Sequence, residues 1–223
     1  LFEHINQSSQ PLSVEEFFRI RTENAKDGGL WGLVSKYVPE ADFKAWQRTV
    51  RDSMYCQWSK LSPPISAMQE VPRLRAPHYR LGIIANQPTQ MEDVMAERDM
   101  LQYFEVLAIS DKLNLHKPDT ALYQWALDAA GVKPSEALMV GDRIDNDIIP
   151  ARAMGMKTAW LRLGYDRRGW TPETEFQRHY AASIQKASYS EFEPTDDSAR
   201  PDLMVTSAEE LLAALIPARV TTP

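Results

Sequence analysis

Residues 1–223 contain a single cysteine, Cys56, so no intramolecular disulfide framework can form, and a reducing, cytoplasmic setting is expected. No run approaches the roughly 18 consecutive apolar residues of a membrane helix, and no charged-then-apolar segment opens the chain. No membrane partner is therefore expected. Basic runs are missing too. With 25 basic against 31 acidic residues the formal charge is −6. Nucleic acid is not an expected partner, because binding a phosphate backbone leaves a basic footprint. Neither Gly-x4-Gly-Lys-Ser/Thr nor Gly-x-Gly-x-x-Gly occurs, which removes the nucleotide-loop readings. What remains is the composition of an ordinary globular protein, 43% hydrophobic and 25% charged. Its length suits one domain with a sizeable insertion, or two small ones.

Residues 1 to 62 read as wholly helical. Ser13-Val14-Glu15-Glu16 has the spacing of a capping box, followed by Val14, Phe17, Phe18 and Arg21 at helical steps and a stop at Gly28-Gly29. A second helix is predicted over Leu30 to Val38. A third starts near Glu40, with Phe43, Trp46, Val50 and Met54 at three- and four-residue intervals. Ser62-Pro63-Pro64 is the clearest linker. Beyond it, strands and helices alternate. Strands are predicted at 80–85, 105–109, 138–140, 157–161 and 203–205. Helices are predicted at 89–101, 120–130 (stopping at Gly131), through 154 (stopping at Gly155) and at 208–215. That alternation argues for a parallel, doubly wound, Rossmann-like α/β sheet. Between Gly164 and Asp202 the chain reads as a long, polar, irregular surface excursion.

In such a sheet, ligands bind outside the carboxyl ends of the strands. Asn86 and Gln87 follow the first strand, Lys117 lies after the second, and Asp142 follows the third. Asp142, Asp145 and Asp147 crowd into six positions, and their mutual repulsion is costly unless a cation sits nearby. Carboxylates there can hold a hard cation through oxygen. A lysine beside them can neutralise a dianionic group as a point charge. Asp119 or Thr120 can cap the helix that follows Lys117-Pro118.

Three segments, Leu81-Gly-Ile-Ile-Ala-Asn86, His116-Lys117-Pro118-Asp119 with Tyr123, and Met139-Val-Gly-Asp-Arg-Ile-Asp-Asn-Asp-Ile148, resemble the second, third and fourth motifs of the haloacid dehalogenase-like hydrolases. The likeness is closest to the branch with a helical cap inserted after the first strand. It implies a cap domain over residues 1–65 and an α/β core over 66–223. It further implies hydrolysis of a small phosphorylated substrate through an aspartyl intermediate, with Mg²⁺ as cofactor, in a monomer or homodimer. On that likeness Lys117 binds the phosphoryl group and Asp142 is a direct metal ligand. Asp147 holds a metal-bound water or orients Lys117, and Asn86 lines the phosphoryl pocket. The Gly28-Gly29-Leu30-Trp31-Gly32 turn is a candidate cap loop facing the site.

Two departures stand out. Ala85 occupies a position where the family usually has Ser or Thr, and the first motif, a strand ending in Asp-x-Asp with the nucleophile, is absent from residues 1–223. In this fold that strand is central, flanked by the strands before Asn86 and Asp142. Leaving their edges open would strand backbone groups at about 1–3 kcal/mol each, against a net stability of about 5–15 kcal/mol. The expectation is therefore that roughly two dozen residues lie upstream of Leu1 in the natural protein. The strands before Asn86 and Asp142 should then not pair with each other. The alternatives are a catalytically silent binding module, favoured by Ala85 and the missing motif, and a dehalogenase, which does not need a metal site.

Overall fold

A computed structural model describes residues 2–6, 11–23, 40–61, 65–162, 171–187, 194 and 196–215. The predicted helix at 30–38, the 28–32 turn and the Ser62-Pro63-Pro64 linker lie outside the described residues. No described helix is long and apolar enough to cross a membrane.

Five strands are described: β1 (Gly82–Ala85), β2 (Val106–Ile109), β3 (Leu138–Gly141), β4 (Lys157–Leu161) and β5 (Leu203–Val205). All pair in parallel, but in two groups, β1–β2 and β3–β4–β5. β1 and β3 do not pair with one another. Helix α8 (Thr120–Ala130) spans both groups. Its Leu122 and Ala126 pack on Val106 and Ala108, and its Tyr123 and Leu127 pack with Met139 and Ala151 of α9 (Ile149–Ala153). The opposite face of the larger sheet is covered by α5 (Ser66–Arg75) and α11 (Ala208–Ala214), whose Met68, Val71 and Leu211 meet Val140, Leu161 and Val205.

The split leaves a signature in burial. Strands of a parallel sheet are normally covered on both faces, and Thr158, Ala159 and Trp160 of β4 are wholly buried. Ile83 and Ile84 of β1 are only half-buried, and Leu138 of β3 is 40% exposed. Between the two sheets lies a cleft of about 1030 Å³ lined by Ile83, Ile84, Met139, Val140, Val71 and Leu127.

The helical region has its own small core. In α2 (Val14–Glu23), Phe17, Phe18 and Ile20 are buried with Ile5 of α1 (Phe2–Asn6). Ser13 Oγ accepts from Glu16 N (3.1 Å), as the capping box predicts, while the Glu16 carboxylate binds Arg19 (2.6 and 2.9 Å). Helices α3 (Glu40–Tyr55) and α4 (Trp58–Leu61) reach the strand region. Tyr55 Oη donates to Asp111 Oδ2 in α7 (Ser110–Leu113; 3.0 Å), and Ser59 Oγ donates to Glu97 Oε2 in α6 (Gln90–Glu97; 2.6 Å).

Two expectations need correction. Residues 175–187 are not irregular: they form α10 (Glu175–Ala187), which packs on α2. Phe176 meets Phe2 and Phe18 at 5.5 and 5.0 Å between ring centroids, and Arg21 donates to Ser183 Oγ (2.7 Å). Its rings at Phe176, His179 and Tyr180 recur at helical spacing and meet Phe18, so a polar average hides a packing face. The helix predicted through Leu101 stops at Glu97, where Asp99 turns to positive φ. Asp is one of the few residues that tolerate that region.

Phe18→Ala should cost about 3–5 kcal/mol. Hydrogen exchange is expected to show α2 and α10 losing protection together while β3–β5 keep theirs. Loss confined to α2 would refute the packing unit.

Candidate active site

Three loops leave the carboxyl ends of β1, β2 and β3, and hydrogen bonds bring Asn86, Lys117 and Asp147 together there. The Asn86 carboxamide clamps the main chain of Lys117, accepting from its N–H (2.7 Å) and donating to its carbonyl (2.9 Å). Ser110 Oγ, buried at the end of β2, donates to Gln87 O (3.2 Å) and ties the first two loops together. Asp119 caps α8 by accepting from Ala121 N (2.9 Å). With both flanks fixed, Lys117 Nζ reaches Asp147 Oδ1 at 2.6 Å, with the two side chains only 13% and 4% exposed.

The acidic loop is shaped by what its backbone lacks. Residues Ile144–Ile148 form a wide π-helical turn that leads into α9. Pro150 has no N–H, so the Asn146 carbonyl loses the donor an α-helix would offer it four residues later. The buried Tyr123 hydroxyl donates to that carbonyl instead. At the other end of the loop, Trp160 Nε1 donates to the carbonyl of Asp142 (3.1 Å). Between them, Asp147 lies against Gly141, where an added Cβ would fall 2.3 Å from the Asp147 Cβ. Only glycine permits that approach. Wide turns of this kind recur at functional sites.

The charges resolve in a way the sequence did not disclose. Arg143 binds Asp145 through Nε (3.0 Å) and a terminal nitrogen (2.5 Å). Asp147 takes Lys117 on one oxygen and Arg143 N on the other (2.9 Å). Asp145 and Asp147 thus have cations supplied by the protein, and their mutual repulsion no longer calls for a metal. What favours one is Asp142, whose exposed side chain sits at the end of β3. Among the described residues no three carboxylate, imidazole or thiolate groups converge as a metal cage. Mg²⁺, which commonly uses one or two carboxylates with water and phosphate oxygens, fits that donor set. With both oxygens engaged, Asp147 has the geometry of a group that orients Lys117. Tyr123, Trp160, Gly141 and Pro150 carry the loop's shape. Of these, Tyr123 was already part of the motif likeness, and Pro150, four residues after Asn146, is a signal the sequence also carries.

Two outcomes follow from the buried groups. Lys117→Met alone should destabilise by about 3–5 kcal/mol, since it leaves a buried carboxylate without its cation. Adding Asp147→Leu should recover most of that loss in a chemical-denaturation cycle, and a single-variant cost under about 1 kcal/mol would contradict the pair's importance. Burial, with the nearby Asp147 and Asp145 carboxylates, pushes the Tyr123 phenol above its ordinary value of about 10. Its folded-state pKa is raised, so its contribution is full below about pH 10 and is lost as pH rises further. Tyr123→Phe should flatten the fall in stability above that pH.

The haloacid dehalogenase-like hydrolase family profile matches residues 3–161. A glyceraldehyde 3-phosphate phosphatase of Pyrococcus abyssi is 41% identical over 93 residues, covering 41% of this chain and 39% of that protein. A pyrimidine 5′-nucleotidase of Escherichia coli is 37% identical over 84 residues, covering 37% of each. The chain thus spans about two fifths of the length of these curated relatives. Among solved structures, a HAD phosphatase from Thermococcus onnurineus superposes with a TM-score of 0.55 at 18% identity, covering 93% of this chain and 90% of that one. A HAD-hydrolase from Bacillus subtilis, solved bound to magnesium, gives 0.61 at 13% identity, covering 96% and 88%. Those two likenesses establish the α/β fold. By its family match, the chain belongs to the haloacid dehalogenase-like hydrolases.

Proposed function

We propose that residues 1–223 form the phosphate- and metal-binding part of a Mg²⁺-dependent phosphatase that acts on a small phosphorylated metabolite. The observation that carries this is the buried Lys117–Asp147 pair at the point where three strand-end loops meet. An ammonium fixed there offers a point charge to a phosphoryl group. Asp147 orients it, and the Asn86 clamp sets its main chain. Asp142 would hold the Mg²⁺. When bound, the ion would shield charge on the transferring group and help fix in-line geometry. The family resemblance implies an aspartyl-phosphate intermediate, which would need a nucleophilic aspartate at this mouth. Relatives named as phosphatases of a triose phosphate and of phosphoglycolate support phosphomonoesters as the substrate class. Helices α1–α4 are proposed as the cap, and α10 joins α2 in it.

One feature favours a second reading. Ala85 supplies no hydroxyl to a phosphoryl oxygen, as a catalytically silent binding module would allow. The full-length gene product containing residues 1–223 should hydrolyse an aryl phosphate only with Mg²⁺. Asp142→Asn and Lys117→Ala should each lower kcat/KM by about 100-fold or more. Absence of turnover in the full-length protein would hand the case to the silent module.

A further inference from the structure

We propose that Arg143 and Trp160 are positioning residues: together they lock the peptide bond that follows Asp142 and so preset its carboxylate for a divalent cation. This rests on the phosphatase reading, in which Asp142 holds Mg²⁺. It adds two residues to which that reading gives no part in binding the ion. One of them is an arginine that strengthens the binding of a cation beside it.

The peptide between Asp142 and Arg143 is held at both of its polar ends. The Asp142 carbonyl accepts from Trp160 Nε1 (3.1 Å), and Arg143 N donates to Asp147 Oδ2 (2.9 Å). The paired register of β3 and β4 ends at Gly141 and Trp160. The indole N–H therefore takes the first carbonyl beyond the ladder. Trp160 is wholly buried and clusters with Ile144, Ile148 and Ala199. A buried N–H needs an acceptor, and a ring fixed by close packing cannot follow a drifting loop. The carbonyl is anchored to the core of the larger sheet.

The residue after that peptide is held as well. Arg143 meets Asp145 in a two-point fork (3.0 and 2.5 Å), and Asp145 Oδ1 also accepts from Asn146 N (2.9 Å). The Arg143 carbonyl accepts from Asp147 N (2.8 Å) and Ile148 N (3.3 Å). Arg143 is thus tied through its amide, its carbonyl and its guanidinium. The side chains of the fork are 38% and 44% exposed, where an ion pair adds little to stability. What a planar fork does supply is orientation.

Orientation is what this ion needs. Mg²⁺ demands near-ideal octahedral geometry and takes only one or two carboxylates, so the direction of Asp142 carries much of the affinity. Charge and positioning predict opposite signs at Arg143. By Coulomb's law, removing a cation beside the site should tighten a divalent ion. Loss of positioning should weaken it.

The test titrates Mn²⁺, standing in for Mg²⁺, into the full-length gene product without substrate, reading free Mn²⁺ by its paramagnetic resonance signal. Arg143→Met should raise Kd by about tenfold or more, the range found when groups that orient a metal ligand are removed. Its Tm should stay within about 3 °C of the parent, as for an exposed pair. Arg143→Lys, which keeps one point of the fork, should recover part of the loss. Trp160→Phe should weaken Mn²⁺ in the same direction. In aryl phosphate hydrolysis, Arg143→Met should need about tenfold more Mg²⁺ for half-maximal rate, and most of kcat should return at saturation. An unchanged or lower Kd in Arg143→Met overturns the proposal. Turnover by the parent with that result leaves the phosphatase reading standing. Arg143-dependent Mn²⁺ binding without turnover counts against the phosphatase reading alone. Mn²⁺ binding that is absent, or indifferent to Asp142→Asn, overturns both.

Discussion

A buried ion pair crosses from one sheet to the other. Lys117 leaves the β1–β2 pair by the loop after β2, Asp147 leaves the β3–β5 sheet by the loop after β3, and they meet at 2.6 Å. Removing both charges from water is expensive, and the pair holds only if its geometry is good and its remaining lone pairs are satisfied. Each nearby feature answers one of those demands. Arg143 N fills the second oxygen of Asp147. Gly141 gives its side chain room, and Asn86 fixes the lysine main chain from both sides.

Helix α8 turns that local arrangement into architecture. Its first turn is capped by Asp119, two residues after Lys117. One turn later Tyr123 reaches across to the Asn146 carbonyl that Pro150 leaves without a donor. Leu122 and Ala126 pack toward the two-stranded sheet, while Tyr123 and Leu127 pack toward the three-stranded one. A single helix therefore sets the lysine, the acidic loop and the spacing of the cleft. The cleft and the candidate site are two ends of one construction: Asn86 and Asp142 follow the strands that border the gap.

The strands were legible because buried parallel strands are short aliphatic runs with few competing readings, and all five fall where the pattern put them. Helix α8 was legible to the residue, since Asp119 starts it and Gly131, at φ +65°, ends it. Asn86, Lys117, Asp142 and Asp147 were legible as strand-end groups, and the structure brings the three loops that carry them together. Orienting Lys117 was one of the two roles expected of Asp147, and the two side chains pair. The Arg143–Asp145 pair was not legible, because a crowd of carboxylates can be balanced by the protein's own cations, which residue density alone does not disclose. Helix α5 was missed because Pro72 inside it reads as a breaker. Helix α10 was missed because its packing face, with Phe176, His179 and Tyr180, is set in a polar sequence. In both cases tertiary burial outweighed local propensity.

In the proposed function, the mouth between β1 and β3, with Asp142 and Lys117 on its rim, would bind a divalent cation together with a phosphoryl group. Paramagnetic broadening by Mn²⁺, standing in for Mg²⁺, in the presence of inorganic phosphate reads that directly from amide resonances. Broadening centred on Gly141 to Asp147 and extending to Asn86 and Lys117 is expected, and it should be lost in Asp142→Asn. Broadening centred instead on Asp202 at the far ends of the strands, or none at the mouth at saturating Mn²⁺, would contradict it.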